Sequence, residues 1–168
     1  MRRSVPILIL SAVAVPAWVM ASAVPAFAKG HGQGPPAGKS VSVACTTLGG
    51  NTSGTPAPSL GNCNQSAATG GSGTGTFTGG LSLSGNATIT WANGGTTTIH
   101  YSVSLPQSAG NKCAKVAQGD IEAIIHGAVS GGTPATGSPA VKGAVHAKAC
   151  VATDGSLSLL PGSGSFRI

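Results

Sequence analysis

Residues 81–105 read LSLSGNATITWANGGTTTIHYSVSL. Leu81, Leu83, Ala87, Ile89 and Trp91 fall on odd positions, and after Asn93-Gly94-Gly95 the odd positions carry Ile99, Tyr101, Val103 and Leu105. Ser, Thr, Asn and His fill the even positions. Successive side chains on a strand point to opposite faces, so this alternation describes strands with one apolar face. An Asn-Gly pair between two such runs is a strong hairpin signal. The stretch predicts a β-hairpin whose odd face is buried, with Trp91 and Tyr101 as its core anchors.

The same rhythm recurs outside the hairpin. Val41, Val43 and Cys45 alternate with Ser and Ala over residues 40–46, and Gly75 and Phe77 alternate with Thr over residues 74–78. Val141 and Val145 oppose Lys142, His146 and Lys148 over residues 141–151, a phase that turns Cys150 outward or places it at a strand end. Residues 120–129 suit a 3.6-residue period as well as a 2-residue one. Gly119 and Gly127 bracket only seven residues, which favours strand over helix. Short strands are expected at residues 156–160 and 164–168. Residues 49–73, 106–118 and 130–140 read as loops, and a loop as long as 49–73 is uncommon unless functional or stapled. Seven or eight short strands and no long helical pattern make the chain all-β. The expected architecture is an antiparallel β-sandwich held by two disulfides, with a small β-barrel as the runner-up.

Residues 1–28 have the form of a signal peptide. Arg2 and Arg3 precede a largely apolar run interrupted by Pro6 and Pro16, and Ala26-Phe27-Ala28 fits a small-x-small cleavage site. The run is too short and too broken for a membrane anchor. Residues 29–39, rich in Gly and Pro, form a flexible arm, and residues 40–168 a single domain. After cleavage no stretch is apolar enough to span a bilayer as a helix. The expected location is secreted or on the exterior of the cell envelope. Cleavage would leave 140 residues, of which 24 are Leu, Ile, Val or Phe. A core this thin needs staples. Cys45, Cys63, Cys113 and Cys150 are an even set without a C-x-x-C pair, which in an exported chain points to disulfides rather than to a redox or zinc site. Of the three possible connectivities, pairing sequence neighbours (Cys45–Cys63 and Cys113–Cys150) is the expected one.

With Cys45, Cys63 and the run Trp91-Ala92-Asn93-Gly94 in view, the chain resembles the small exported β-rich proteins of unknown function found in high-GC actinobacteria. The resemblance implies export and a β fold, and it implies no activity.

Residues 29–168 hold seven basic and three acidic side chains, thinly spread. No cluster of Lys or Arg is dense enough to track phosphates, and the aromatic residues fall on buried positions, so nucleic acid is not an expected partner. No G-x-S-x-G elbow or P-loop spacing occurs. Asp120 and Glu122 are a lone acidic pair, and a hydrolase built on them would need a histidine beside one of them in a cleft. The chain is therefore expected not to be an enzyme and to need no cofactor. His100, His126 and His146 take polar strand faces, and they could share a metal only if their strands are neighbours. A cut after Ala28 would expose Lys29-Gly30-His31, whose amine, amides and imidazole suit square-planar Cu(II) or Ni(II). The expected function is an exported binding or structural module that meets an envelope or extracellular partner. An inhibitor of exported hydrolases and metal capture through Lys29, Gly30 and His31 are the alternatives.

Overall fold

The computed structural model describes residues 39–106, 112, 113 and 118–168. The signal-like segment and Lys29, Gly30 and His31 lie outside the described residues. In chain order the elements are β1 (Ala44–Gly49), β2 (Ser59–Cys63), helix α1 (Ser66–Thr69), β3 (Gly75–Phe77), β4 (Ser84–Trp91), β5 (Thr96–Ser104), β6 (Ile121–Gly131), β7 (Ala144–Val151), β8 (Leu157–Leu159) and β9 (Phe166–Arg167).

From β1 to β7 each strand pairs antiparallel with the next. The far edge of β7 is shared. Ala149, Cys150 and Val151 pair with β8, and His146 pairs with Arg167 of β9. β9 also pairs with β1 through Ala44↔Arg167 and Cys45↔Phe166. β8 and β9 thus follow one another as a single eighth stave, and the sheet closes on itself as an eight-stranded antiparallel barrel. This corrects the expected sandwich in favour of the runner-up. Alternation shows that one face is buried but not against what. A sandwich would bury the odd faces of two sheets against each other, whereas here one sheet curls until its first and last strands meet. The closing bonds join opposite ends of the described chain, with Val43 N donating to Ile168 O at 2.7 Å and Ile168 N to Val43 O at 2.8 Å.

The hairpin forms, with Thr90 opposite Thr96 and Gly85 opposite Tyr101. Its loop has three residues. Gly94 N donates to Trp91 O and Trp91 N to Gly95 O, and Gly94 has φ 83°. A turn followed by a left-handed residue closes a three-residue hairpin loop, and a side chain at position 94 would be strained.

In the hairpin the odd face points into the barrel, and in the shorter strands even residues such as Leu60 and Phe166 do so as well. Phe77, Ile89, Trp91, Ile99, Tyr101, Val145 and Phe166 are buried, and Phe77 meets Phe166 edge-on at 6.0 Å between ring centroids. Large rings stand beside glycines. Tyr101 is flanked in the wall by Gly85 and Gly127, and Trp91 lies opposite Gly75. Alternating large and small side chains is how a narrow barrel fits its own interior.

Residues 121–131 are strand as expected, though the strand runs through Gly127 instead of ending at it. β2 and α1 lie inside the segment that reads as loop in the sequence, because β2 carries a single large apolar residue, Leu60, and so shows no alternation. The two disulfides join Cys45 to Cys63 and Cys113 to Cys150. Cys45 and Cys63 are direct partners across β1 and β2, their Cα atoms 3.9 Å apart. Cys150 keeps the outward phase of β7, at the strand's end. Its bridge lies outside the barrel in a small separate cluster with Leu160.

Candidate apolar site at the open end of the barrel

Antiparallel connections alternate between the two ends of a barrel, and here the two ends differ. At one end the connections β2–β3, β4–β5 and β6–β7 gather. Ala68 and Thr69 of α1 are buried there, as are Trp91 and Thr97. Asn93 fastens the three connections together. Its Nδ2 donates to Ala68 O at 2.9 Å and to Ser138 Oγ at 3.3 Å, while its Oδ1 accepts from Gly95 N at 2.9 Å. These side chains fill this end, beside a hollow of ≈ 240 Å³ lined by Thr96, Val129, Gly132, Pro134 and Val141.

The opposite end holds the turns β1–β2, β3–β4 and β7–β8 and the start of β6. It contains a cavity of ≈ 280 Å³. Ala123, Ile125 and Ala149 line it and are buried, whereas Leu83, Leu105 and Ile121 line it and are 63%, 49% and 46% exposed. The buried residues therefore form its depth and the exposed ones its rim. Leu157 also lies in its depth, and Val103 and Val151 lie between. Leu83 and Leu105 were expected to be buried with the rest of the odd face. Their side chains do share that phase, but at the open end the packed layers have run out. Leu81, Leu83, Leu105 and Ile121 are indistinguishable in pattern from core residues, so the sequence shows the alternation and not where the filling stops.

Thr52 and Ser82 are the polar residues of the lining. Ser82 is engaged, with its N–H donating to Tyr101 Oη at 3.0 Å and its Oγ to Ser84 O at 2.7 Å. Tyr101 thus buries its ring in the barrel and satisfies its hydroxyl beside the cavity. The lining carries no ionisable side chain. The hydroxyls of Thr52 and Ser82 are the polar side-chain groups of this lining. What it can do is take apolar surface out of water, at roughly 25 cal/mol per Å².

The acidic pair takes two unlike positions. Glu122 is buried on the outward side of β6, opposite Cys150, and its Oε2 accepts from Lys112 N at 3.2 Å. Asp120 lines a separate hollow of ≈ 300 Å³ with Cys150, Ser156 and Pro161 and with no histidine among the lining residues. The Cys45–Cys63 bridge lies within the wall, between directly paired residues of β1 and β2. The three histidines lie on neighbouring strands, β5, β6 and β7. His126 and His146 are direct partners, their ring centroids 5.6 Å apart. His100 pairs with Ala128, and its Nδ1 lies 3.1 Å from Asn86 Oδ1 on the other side.

The chain matches no family model, no curated protein and no solved structure. Two disulfides and no free cysteine among the described residues indicate an oxidising compartment. Among the described residues no helix is long and apolar enough to cross a membrane.

Proposed function

We propose that the protein is an exported, non-enzymatic binding module that takes a small, neutral, apolar molecule into the open end of its barrel. One observation carries this reading: the 280 Å³ cavity has an apolar depth and an exposed apolar rim. An apolar cavity of about 150 Å³ is enough to hold benzene, so this one has room for a larger ring system or a short alkyl chain. Eight-stranded barrels are just wide enough to hold one such ligand. The uncharged lining disfavours anions and cations, which would enter without a partner for their charge. Thr52 is the polar lining residue placed to meet a single hydroxyl or carbonyl. The outward wall, with Thr90, His100, Ser102, His126 and Lys148 exposed, is the reverse of a lipid-facing barrel, which fits a module that works in water.

The test is titration of the protein with a neutral naphthylamine dye that fluoresces in apolar surroundings, followed by displacement with 1-octanol and 1-decanol. The expected result is saturable binding at one site, weakened at least tenfold in Leu105→Asp and Ile121→Asp. Both positions are half-exposed rim residues, so their unfolding free energies should stay within about 0.5 kcal/mol of the parent. Absence of saturable binding, or equal binding by the two variants, overturns the reading.

A further inference from the structure

We infer that His126 and His146 form a two-imidazole binding site for a first-row divalent metal ion, with Cu(II) held most tightly, on the outer wall of the barrel. The site is independent of the apolar cavity. Val129 N donates to Gly143 O at 3.0 Å, which makes 129 and 143 a hydrogen-bonded pair. Three residues further along the ladder, His126 and His146 therefore occupy a non-hydrogen-bonded pair, the kind in which opposing side chains stand closest. Their rings meet edge-on, inclined at 60°. Both residues are exposed, so an ion reaches them without any movement of the fold. Ser104 Oγ lies 3.4 Å from His126 Nε2. A partner on one ring nitrogen is what orients a metal-ligating imidazole and leaves the other nitrogen for the ion.

The surroundings select the class of ion. Lys148 follows His146 by two residues on the same face, and Arg167 lies directly opposite His146 on β9. The carboxylate on this side of β6, Glu122, is buried four residues from His126 and bonded to Lys112 N. Hard ions such as Ca²⁺ and Mg²⁺ need oxygen ligands, which two imidazoles do not supply. Imidazole suits Cu(II), Ni(II) and Zn(II), with affinity peaking at Cu(II). Among the described residues no group of three or more His, Cys, Asp or Glu converges, so water completes the coordination shell. The ion would bridge β6 and β7.

The test uses the tag-free protein carrying His31→Ala, which removes the other candidate copper ligand. Cu(II) is titrated and followed by calorimetry and electron paramagnetic resonance. One equivalent should bind, with hyperfine structure from two imidazole nitrogens. His126→Asn and His146→Asn should each weaken binding at least tenfold, while His100→Asn should leave it unchanged. Cu(II) should also raise the thermal midpoint of the parent and not that of the double variant. The substitutions lie on the exposed wall, and near-ultraviolet circular dichroism checks that each variant is folded. Binding by His126→Asn and His146→Asn equal to that of the parent, or an equal loss in His100→Asn, overturns the inference.

Discussion

Gly75 on β3 lies directly opposite Trp91 on β4, and a methyl group added at Gly75 would stand 2.7 Å from Cε3 and Cζ3 of the Trp91 ring. The glycine is thus the space into which the indole folds. Ile89 Cγ2, at 2.8 Å, closes the other side. Gly75→Ala should destabilise the protein by about 1–3 kcal/mol, because the ring, Ile89 and the backbone must all give way in a close-packed interior. Gly71→Ala is the control, since nothing lies within 4 Å of its added carbon. Urea unfolding monitored by Trp91 fluorescence reads both. Gly127→Ala, whose methyl would meet backbone including Tyr101 Cα at 2.9 Å, should cost more than Gly75→Ala, because backbone cannot turn aside.

At the filled end, Trp91 Nε1 donates to Thr97 Oγ1 at 2.8 Å, with both residues buried. Thr97→Val keeps the shape and strands the indole N–H, at a cost of about 1–3 kcal/mol. Trp91→Ala removes the ring and leaves a cavity, at a cost of about 3–5 kcal/mol. Trp91→Phe combined with Thr97→Val removes both polar partners. The pair should cost less than the sum of the two single changes, the sign of direct coupling. Additive costs would mean the bond contributes nothing.

The sequence carries the hairpin, the buried odd face, and Trp91 and Tyr101 as anchors, because those follow from local period and turn chemistry. What escapes it depends on register. Closure rests on Ala44 meeting Arg167, and no local pattern carries that pairing. β2 escapes because Leu60 alone cannot show a period. The open mouth escapes because Leu83 and Leu105 repeat the pattern of Ile89 and Ile99 and differ only in how far along the barrel they stand. His126 and His146 are twenty residues apart, and only the β6–β7 ladder makes them neighbours. Glycines within strands, Gly75, Gly85 and Gly127, were a usable signal, since a strand glycine marks close approach by another group. Each proves to lie opposite Trp91 or Tyr101.

The two disulfides should separate in their effects. Loop-closure entropy assigns about 3 kcal/mol to a bridge spanning 18 residues and about 4 kcal/mol to one spanning 37. The Cys45–Cys63 bridge touches the core, since Cys45 is fully buried beside Phe166. Its replacement by alanines should lower stability and alter the near-ultraviolet spectrum. The Cys113–Cys150 bridge lies outside the barrel. Its replacement by alanines should lower stability by a similar amount with the Trp91 spectrum unchanged, and should speed proteolysis near Lys112. A changed Trp91 spectrum in that variant would show that the outer cluster supports the barrel wall.

Asn93 joins three connections through one side chain, and its two ends do different work. Oδ1 accepts from the buried Gly95 N–H, and Nδ2 donates to Ala68 O of the α1 segment. Asn93→Ala leaves Gly95 N–H without its partner and should cost about 1–3 kcal/mol. Asn93→Asp keeps the acceptor for Gly95 but replaces the donor by a carboxylate oxygen facing Ala68 O. The charged form is then disfavoured in the folded state, so the folded carboxyl titrates higher than in the unfolded chain. Its destabilisation should ease as pH falls through that folded value, where the protonated group regains a hydrogen to donate to Ala68 O. Thermal midpoints of parent, Asn93→Ala and Asn93→Asp across acidic and neutral pH check this. The Asp variant should gain on the parent as pH is lowered, and the Ala variant should hold a constant deficit. Parallel pH curves for all three would mean that the contact with Ala68 O contributes nothing to closing this end of the barrel.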